Sequence, residues 1–366
     1  MAKVLLNVTE SELNTIGGDF TYYRSMLRLS NDRFSFVTLQ RQRPQLTNFL
    51  RKMSARLLTR ELPERLRRYL ILRWYLAPLP PSELQRQQDI SAVYSFITFP
   101  DLPPSHKLPI IWNTQGIFKS PYYDYFGKIS FDDAVWGHRF FGMRAIIMQV
   151  CTEIGAKNIR ECCGEISAKI VVIPEAVDIA PIGDVRAKPE SPVRLIFVGR
   201  DPIRKGLPDV LEAFRVLAKE NNDLELVVVS RTSGRLRAEI LATPKVRYFE
   251  NIPRVQLHKL LEEAHILVVP TYADTYNLVL VEGMAKGCAI ISSNYEPITE
   301  VAPDGEVGFL VSLGDVGAIV KAIRILLENR ELRQRMGKAG VARYLRLHSL
   351  EVFSRKLQAL FNEVAK

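Results

Sequence analysis

The sequence has few of the residues that build metal centres and disulfide frameworks. Its 366 residues include four cysteines and five histidines. The cysteines lack metal-ligand spacing, and Cys162 lies next to Cys163, which favours reduced thiols in the core of an intracellular protein. The histidines are scattered, with the spacing of neither a zinc site nor a catalytic triad. The chain also lacks a DxD-type pair of acids in a suitable place, so we expect no metal requirement.

Long apolar runs are absent as well. No stretch approaches the roughly 18 apolar residues of a membrane-spanning helix, and the apolar stretch near the N-terminus is too short for a signal peptide. We therefore expect a cytoplasmic protein. A hydrophobic content of 47% and a charged content of 25% are typical of soluble globular proteins. Because a single core stops growing at about 250–300 residues, a chain of 366 residues predicts two domains.

Basic charge is abundant and unevenly distributed. The net charge is +10, and ten Lys or Arg residues fall between Arg41 and Arg73, where the acids are Glu61 and Glu64. Apolar residues at helical spacing within 41–76 predict two short amphipathic helices with Arg-rich faces. Such helices suit an anionic membrane surface, but two solvated helices packed by ordinary apolar faces explain the pattern equally well. No recognised DNA or RNA module accompanies the charge, so we predict no nucleic acid partner.

The C-terminal half alternates short apolar runs with segments of helical periodicity. The runs have the length of buried parallel strands, and the segments between them have the length of crossover helices. The predicted strands cover 194–198, 224–229, 246–249, 265–270 and 288–292, and the predicted helices begin near 207, 232, 255, 275 and 315. This order predicts a doubly wound α/β domain with a parallel sheet.

The N-terminal half begins in the same way and predicts a second Rossmann-like domain. Its predicted strands cover 3–8, 34–39, 93–99, 108–114, 146–151 and 169–174, with a helix at 131–145. The proline-containing segment 176–192 suits a linker. We therefore predict domains over 1–180 and 181–348, and a final amphipathic helix over 349–366. Because ligands of doubly wound sheets bind at the carboxyl ends of strands, we expect the site in a central cleft between the domains.

The turn after the strand at 194–198 carries a cluster of cations. Gly199 lets the backbone leave the strand sharply, and Arg200, Arg204 and Lys205 follow just before a predicted helix. Cationic side chains and the free N–H groups of a helix start together form a diphosphate site. A solvated turn whose charges bind nothing is the alternative.

The strand at 265–270 runs into the sequence TYADTYNLVLVEGMAKG. Asp274 is predicted to cap a helix whose first turn is 275–278, and Glu282 follows two turns later, about 12 Å along the axis. That separation is too great for a glycosidase pair, but it suits two acceptors that bind different hydroxyl-rich parts of one ligand. The alternative is a capped helix with an exposed Glu282, although the apolar residues around Glu282 favour burial with a bound partner.

Together, VGRDPIRKG and DTYNLVLVEGMAKG resemble the retaining nucleotide-sugar glycosyltransferases of the GT-B fold, specifically the group-one family, also called family four. The family signature is a GR-x(4–5)-KG turn followed by an E-x7-E element, and the resemblance covers roughly residues 190–330. Segments 16–27, 169–178 and 305–311 are similar to further pieces of the family pattern. The order and spacing of these motifs are specific, whereas any one of them alone is weak.

The resemblance implies a set of donor-binding and catalytic residues. It assigns neutralisation of the diphosphate and its developing charge to Arg200 and Lys205, contact with the sugar to Asp274, and contact with the ribose hydroxyls to Glu282. The residues assigned to donor binding are Gly199, Arg200, Lys205, Asp274, Tyr276, Asn277, Leu278 and Glu282. Cations and a helix N-terminus can stabilise the leaving group in place of a divalent metal, so the resemblance implies no cofactor besides the donor substrate.

The remaining assignments concern backbone amides and the N-terminal domain. The amides of residues 276–278 are expected to face the sugar and the phosphate. Gly17 and Gly18 are expected to shape a loop that closes over the site, and Gln115 is expected on the acceptor side. By the same resemblance, residues 1–180 bind the acceptor, residues 181–348 bind the nucleotide-sugar, and the final helix crosses back to the N-terminal domain.

Four features depart from the family pattern, and one of them is the segment IPEAVD at 173–178, which lacks the Asn-Gly of the family. Asp274 replaces the first Glu and is shorter by one methylene, Asn277 stands where Gly is frequent, and Gln115 stands where His is frequent. Because Asp and Gln keep their hydrogen-bonding capacity, we expect an active enzyme with an unusual sugar or acceptor.

The first hypothesis is a retaining glycosyltransferase that moves a sugar from a nucleotide-diphosphate sugar to a glycan or lipid-linked acceptor in polysaccharide or glycolipid synthesis. The alternative is a catalytically degenerate sugar-nucleotide-binding protein that acts as the partner of another glycosyltransferase. A phosphorylase or an epimerase is a third hypothesis, although a phosphorylase needs a pyridoxal-binding lysine and a longer chain. If the segment 41–76 binds lipid, the protein is expected to be peripheral at the inner face of the membrane.

Overall fold

The computed structural model describes residues 130–364 continuously. Before them, it describes residues 2–9, 34–39, 63–66, 68, 76–78, 90–96, 99–101, 108–118, 123 and 125. The chain divides into two units: Met1–Glu175 together with Leu350–Lys366 form the N-terminal unit, and Ala176–Ser349 form the C-terminal unit. The predicted boundaries at 180 and 348 lie close to this division.

The N-terminal unit contains a parallel sheet of six strands in the order β2-β1-β4-β6-β7-β8. A separate parallel pair is formed by β3 and β5. The strands are β1 (Ala2–Thr9), β2 (Phe34–Leu39), β3 (Leu76–Pro78), β4 (Ile90–Phe96), β5 (Phe99–Asp101), β6 (Ile110–Asn113), β7 (Ile147–Val150) and β8 (Lys169–Val172). The strand predicted at 93–99 was therefore wrong at its end, because β4 stops at Phe96 and the residues from Phe99 pair with β3.

Two helices of the N-terminal unit flank β7. Helix α1 (Phe131–Gly142) begins with a capping box between Ser130 and Asp133. Helix α2 (Glu153–Cys162), which the sequence analysis missed, begins where the Thr152 side chain accepts from the N–H of Gly155 at 3.1 Å. Because β7 and β8 are parallel, a crossover between them is required, and α2 supplies it.

The C-terminal unit contains a second parallel sheet of six strands, in the order β11-β10-β9-β12-β13-β14. The strands are β9 (Val193–Gly199), β10 (Leu224–Ser230), β11 (Val246–Phe249), β12 (Ile266–Val269), β13 (Ala289–Ser293) and β14 (Gly308–Val311). The helices are α3 (Leu207–Glu220), α4 (Gly234–Ala242), α5 (Arg254–Glu263), α6 (Leu278–Ala285), α7 (Ile298–Val301), α8 (Val316–Glu328) and α9 (Arg330–Arg343). The predicted doubly wound α/β class is confirmed in both units.

The segment 176–192, which is predicted to be an interdomain linker, packs within one unit. It belongs to the C-terminal unit, where Val177, Ile179 and Val185 are buried. Lys188 is buried as well, and its ammonium donates to the carbonyl of Glu262 at 3.1 Å and to the carbonyl of Ala264. Apolar residues spaced among the prolines and charges therefore anchor the segment against its own unit.

The last helix, α10 (Leu350–Val364), is part of the N-terminal unit. Its buried face includes Phe361, whose ring centroid lies 6.0 Å from that of Tyr94. Near its end, Glu363 forms an ion pair with Lys169 at 2.7 Å. The amphipathic helix predicted at 349–366 is thus present.

Two predicted features lie wholly or mostly outside the described residues. These are the loop with Gly17 and Gly18, and the basic segment 41–76, of which residues 63–66, 68 and 76 are described. Their predicted roles stay predictions. Within the part of the chain that the structure describes, no helix has the length and the apolar character needed to cross a bilayer.

Candidate functional site

Two loops of the C-terminal unit come together at the carboxyl edge of its sheet. One loop follows β9 and the other follows β12, and these two strands are hydrogen-bonded neighbours. The N–H of Tyr272 donates to the carbonyl of Arg204 at 2.7 Å, which ties the loops together. Residues 68 positions apart in sequence are therefore held at one edge, where doubly wound sheets bind ligands.

Two glycines make this approach possible. A Cβ on Gly199, the last residue of β9, would lie 2.8 Å from Cγ of Lys205, so the missing side chain leaves room for the lysine stem. Gly206 has a φ of 78°, and a Cβ there would collide with the carbonyl oxygen of Pro270. Gly199 therefore matters chiefly because it lets Lys205 pack against the strand end.

The first group of functional side chains is the Asp274 cluster, which consists of Arg204, Lys205, Asp274 and Asn277. The ammonium of Lys205 forms an ion pair with Oδ2 of Asp274 and donates to Oδ1 of Asn277 at 2.6 Å. Arg204 donates from Nη1 to the same Oδ2 at 3.3 Å. All four side chains lie on the two connected loops, so the structure brings Lys205 and Asp274 together as their shared site requires.

Burial and charge act in opposite directions on the Asp274 cluster. Burial alone raises the pKa of Asp274, but the charges of Lys205 and Arg204 and the hydrogen bonds to the carboxylate outweigh it, so this pKa lies below its usual value. Burial lowers the pKa of Lys205, and the Asp274 carboxylate opposes that shift. Asp274 therefore helps to keep the buried ammonium charged.

The backbone before α6 differs from the predicted capped helix. The helix begins at Leu278 instead of 275, with Asn277 as its N-cap at a left-handed φ of 61°. Oδ1 of Asp274 accepts from the N–H groups of Thr275 at 2.9 Å, Tyr276 at 3.4 Å and Asn277 at 3.2 Å. Two of the three amides expected to face the sugar and phosphate, those of Tyr276 and Asn277, thus donate to Asp274. The carboxylate organises a loop ahead of the helix, which moves the helix start three residues on.

The second group is the Glu282 cluster, which consists of Arg254, His258 and Glu282. The Glu282 side chain is 8% exposed, and its Oε1 accepts from Nη2 of Arg254 at 2.6 Å. An exposed Glu282 is thereby excluded, because this acid is buried with a charged partner. Arg254 itself is 51% exposed, so it reaches the carboxylate from the solvent side.

His258 lies one turn after Arg254 on α5, beside Glu282. Its Nε2 is buried and has no hydrogen-bond partner among the described residues. Burial lowers the pKa of His258, and the charge of Glu282 opposes the shift. Sequence reasoning missed Arg254 and His258. Their spacing of four residues at the start of the helix after β11 was the available signal.

Two other predicted site residues, Arg200 and Gln115, are not members of these clusters. Arg200 is exposed just after β9, and its predicted role in catalysis stays a prediction. Gln115 follows β6 in the N-terminal unit, where its Nε2 donates to Oε1 of the buried Glu175 at 3.3 Å. The expectation that Gln115 lies on the acceptor side also stays a prediction.

Two buried histidines are held in the neutral form. In the N-terminal unit, Nδ1 of His138 donates to the carbonyl of Ala134 at 2.8 Å, and Nε2 accepts from the hydroxyl of Thr114 at 2.7 Å. In the C-terminal unit, Nδ1 of His265 accepts from the N–H of Arg194 at 3.0 Å. Burial lowers the pKa of both histidines to about 4. Neither belongs to the two clusters, so both are structural.

The described residues contain no group of three or more His, Cys, Asp or Glu side chains arranged to hold a metal ion. None of the four cysteines forms a disulfide within the described part of the chain, and three of them are buried. The expectation that the protein requires no metal stays a prediction.

Comparison with known proteins identifies the C-terminal unit. The sequence profile described as "Glycosyl transferases group 1" matches residues 179–343, a range that contains both clusters. Residues 179–343 belong to glycosyl transferases group 1. This confirms the resemblance that the GR-x(4–5)-KG and E-x7-E motifs indicate.

One curated relative of this group 1 domain is phosphatidyl-myo-inositol mannosyltransferase of Mycobacterium leprae. The two are 28% identical over 202 residues, which cover 53% of this chain and 54% of the relative. The chain thus spans about half the length of the curated relatives that it matches.

Solved structures extend the likeness to the whole fold. Sucrose-phosphate synthase from Thermosynechococcus elongatus superposes with a TM-score of 0.73 at 16% identity, covering 100% of this chain and 99% of that one. HepE from Anabaena, in complex with UDP and glucose, superposes with a TM-score of 0.63 at 12% identity, covering 99% of both chains. The chain has the GT-B fold, as predicted.

Proposed function

We propose that this protein is a retaining glycosyltransferase. It transfers a sugar from a nucleotide-diphosphate sugar to a glycan or lipid-linked acceptor in polysaccharide or glycolipid synthesis. The observation that carries the proposal is the buried Lys205 ammonium, which Asp274 and Asn277 hold at the carboxyl edge of the sheet inside a group 1 domain. The complex of HepE with UDP and glucose supports a nucleotide-diphosphate sugar as the donor.

In the proposed reaction, the bond between the anomeric carbon and the phosphate oxygen breaks, and a bond to the acceptor oxygen forms on the same face of the sugar. The acceptor proton passes to the departing phosphate oxygen. Lys205 and Arg200 stabilise the negative charge that develops on the leaving diphosphate. Asp274 is a positioning residue, because it holds Lys205 in place and charged. Glu282 accepts hydrogen bonds from the ribose hydroxyls after Arg254 moves away.

The donor is tested by calorimetry with a panel of UDP-, GDP-, ADP- and dTDP-sugars, followed by NMR of the product. We expect wild-type protein to bind at least one of these donors, and the product to keep the anomeric configuration. Lys205→Met removes the charge while keeping the stem, and should abolish binding or transfer. Lys188→Met is the matched control, since Lys188 is an equally buried lysine bonded near the opposite end of β12. Inverted product, or equal binding by Lys205→Met, would contradict the proposal.

We also propose a peripheral, cytoplasmic location at the inner face of a membrane, with the acceptor linked to lipid. The support is the basic composition of residues 41–76 and the name of the mannosyltransferase relative. Flotation with anionic and neutral vesicles, at low and high salt, tests this directly. Salt-sensitive binding to the anionic vesicles alone is expected, and absence of binding to them would refute the location.

A further inference from the structure

Asn277 occupies an unusual position in the Asp274 cluster. It is 3% exposed, and it has the left-handed φ of 61° that Asn tolerates better than most residues. With this backbone conformation, the side chain of Asn277 reaches the loop after β9. This geometry puts its amide against Lys205 instead of in solvent.

The identity of each Asn277 side-chain atom follows from its neighbour. An ammonium can only donate, so the atom that lies 2.6 Å from Nζ of Lys205 must be the amide oxygen, Oδ1. Nδ2 then carries two N–H groups, and it is buried without a hydrogen-bond partner among the described residues. Buried donors without partners are rare in native proteins, and this one adjoins a cationic site.

The hydrogen-bonding groups of the Asp274 cluster that lack a partner among the described residues are donors. Oδ1 of Asp274 accepts from three backbone N–H groups, and Oδ2 accepts from Lys205 and Arg204. Five donors saturate the roughly four lone-pair sites of a carboxylate. Lys205 uses two of its three N–H groups inside the cluster, so one remains. Arg204 also forms an ion pair with Asp201 at 3.5 Å, so the two cations of the cluster face two carboxylates.

A ligand group that satisfies Nδ2 of Asn277 and the ammonium of Lys205 must accept hydrogen bonds, and negative charge on that group strengthens both of them. Phosphoryl and carboxylate oxygens meet both conditions. A neutral sugar hydroxyl meets them poorly, because its own proton would need an acceptor and the Asp274 oxygens are occupied. This departs from the family resemblance, in which the acid at this position contacts the sugar.

We propose that Asn277 is a specificity-determining residue, whose Nδ2 binds an anionic oxygen of the donor together with the ammonium of Lys205. The proposal rests on the proposed donor-binding function. Two parts of a donor can supply that oxygen: the diphosphate, or the carboxylate of a hexuronic acid as the transferred sugar.

The test is calorimetry with three ligands that share one nucleotide: the nucleoside diphosphate, its hexose derivative and its hexuronic acid derivative. Asn277→Gly keeps the left-handed backbone and removes Nδ2, while Asn277→Asp keeps the shape and replaces the donor with an acceptor. We expect each variant to weaken binding about tenfold or more, since hydrogen bonds to charged groups are the strong ones. Lys245→Gly, at another left-handed position with a φ of 62°, is the matched control.

The three ligands separate the two sources. Weakening of all three identifies the diphosphate, and weakening confined to the hexuronic acid derivative identifies the sugar carboxylate. Unchanged affinities for all three, or weakening confined to the neutral hexose derivative, would overturn the proposal while leaving the proposed function intact. If wild-type protein binds no nucleotide of the donor panel, the proposed function fails, and this proposal fails with it.

Discussion

The Asp274 cluster and the Glu282 cluster each centre on a buried carboxylate, but their cations differ. Asp274 pairs with Lys205, whose side chain is 11% exposed, and the surrounding loops hold both residues. Glu282 pairs with Arg254, whose side chain is 51% exposed. An ion pair between two buried groups is costly to break, whereas a half-exposed arginine can return to water at little cost. From this difference we propose that Asp274 stays paired with Lys205 when a ligand binds, and that Glu282 exchanges Arg254 for the ligand.

The largest expected effect is on stability at the Asp274 cluster. Asp274→Ala leaves the buried Lys205 without its carboxylate, while Arg204 keeps Asp201 at 3.5 Å, so we expect a loss of about 3–5 kcal/mol in the free energy of unfolding. Glu282→Ala frees a half-exposed Arg254 and should cost no more than about 1–2 kcal/mol. Urea denaturation of both variants gives the comparison. Equal destabilisation of the Glu282→Ala and Asp274→Ala variants would contradict the proposed difference between the two clusters.

The second largest expected effect is the loss of stability when the buried histidines become protonated at acidic pH. This loss occurs at a higher pH than the titration of Asp274. The folded pKa of His265 is about 4 against an ordinary 6.5, so the unfolded chain binds more protons between these values. Stability should therefore be fully present above pH 6.5 and fall as the pH drops toward 4, by up to about 3 kcal/mol for this histidine.

The check is urea denaturation of His265→Gln across this pH range. The variant should lose less stability on acidification than wild-type protein, while His138 continues to titrate in both. The contribution of Asp274 persists through this window, because its folded pKa lies below the ordinary 3.8. An identical pH dependence in variant and wild type would show that His265 does not titrate as described.

The smallest effect in energy, but the most specific one, concerns ligand binding at Glu282. Glu282→Gln keeps the shape and removes the charge that we propose accepts from the ribose hydroxyls, so donor affinity should fall about 10- to 100-fold. Unfolding free energy should change little. Calorimetry with the donor found in the panel measures this change. The contrast between the clusters would be lost if Glu282→Gln bound the donor as tightly as wild-type protein.

The sequence was sufficient for the order of elements and for the key residues of both clusters. Alternating apolar runs and helical periodicity predict β9 to β13, and the spacing of Lys205, Asp274 and Glu282 matches one family signature. Their partners were harder to predict. The Arg254–Glu282 pair joins residues on different helices, and no local pattern specifies which cation reaches a buried carboxylate.

Two local errors have identifiable physical causes. Capping preferences favour Asp at the start of a helix, but Asp274 accepts from three successive N–H groups in a loop, and the left-handed Asn277 becomes the N-cap. In 176–192, prolines and charges predict an interdomain linker, while the buried Val177 and Val185 are too widely spaced to form a recognisable period. Each error arises where tertiary contacts override a local preference.

A crystal structure with a non-hydrolysable analogue of the donor found in the panel tests the proposed donor site most directly. We predict that the diphosphate lies within hydrogen-bond distance of the Lys205 ammonium. We also predict the ribose hydroxyls on Glu282, with Arg254 displaced and the Asp274–Lys205 pair intact. A nucleotide bound away from Lys205, or a bound nucleotide with the Arg254–Glu282 pair unbroken, would contradict the proposed donor site.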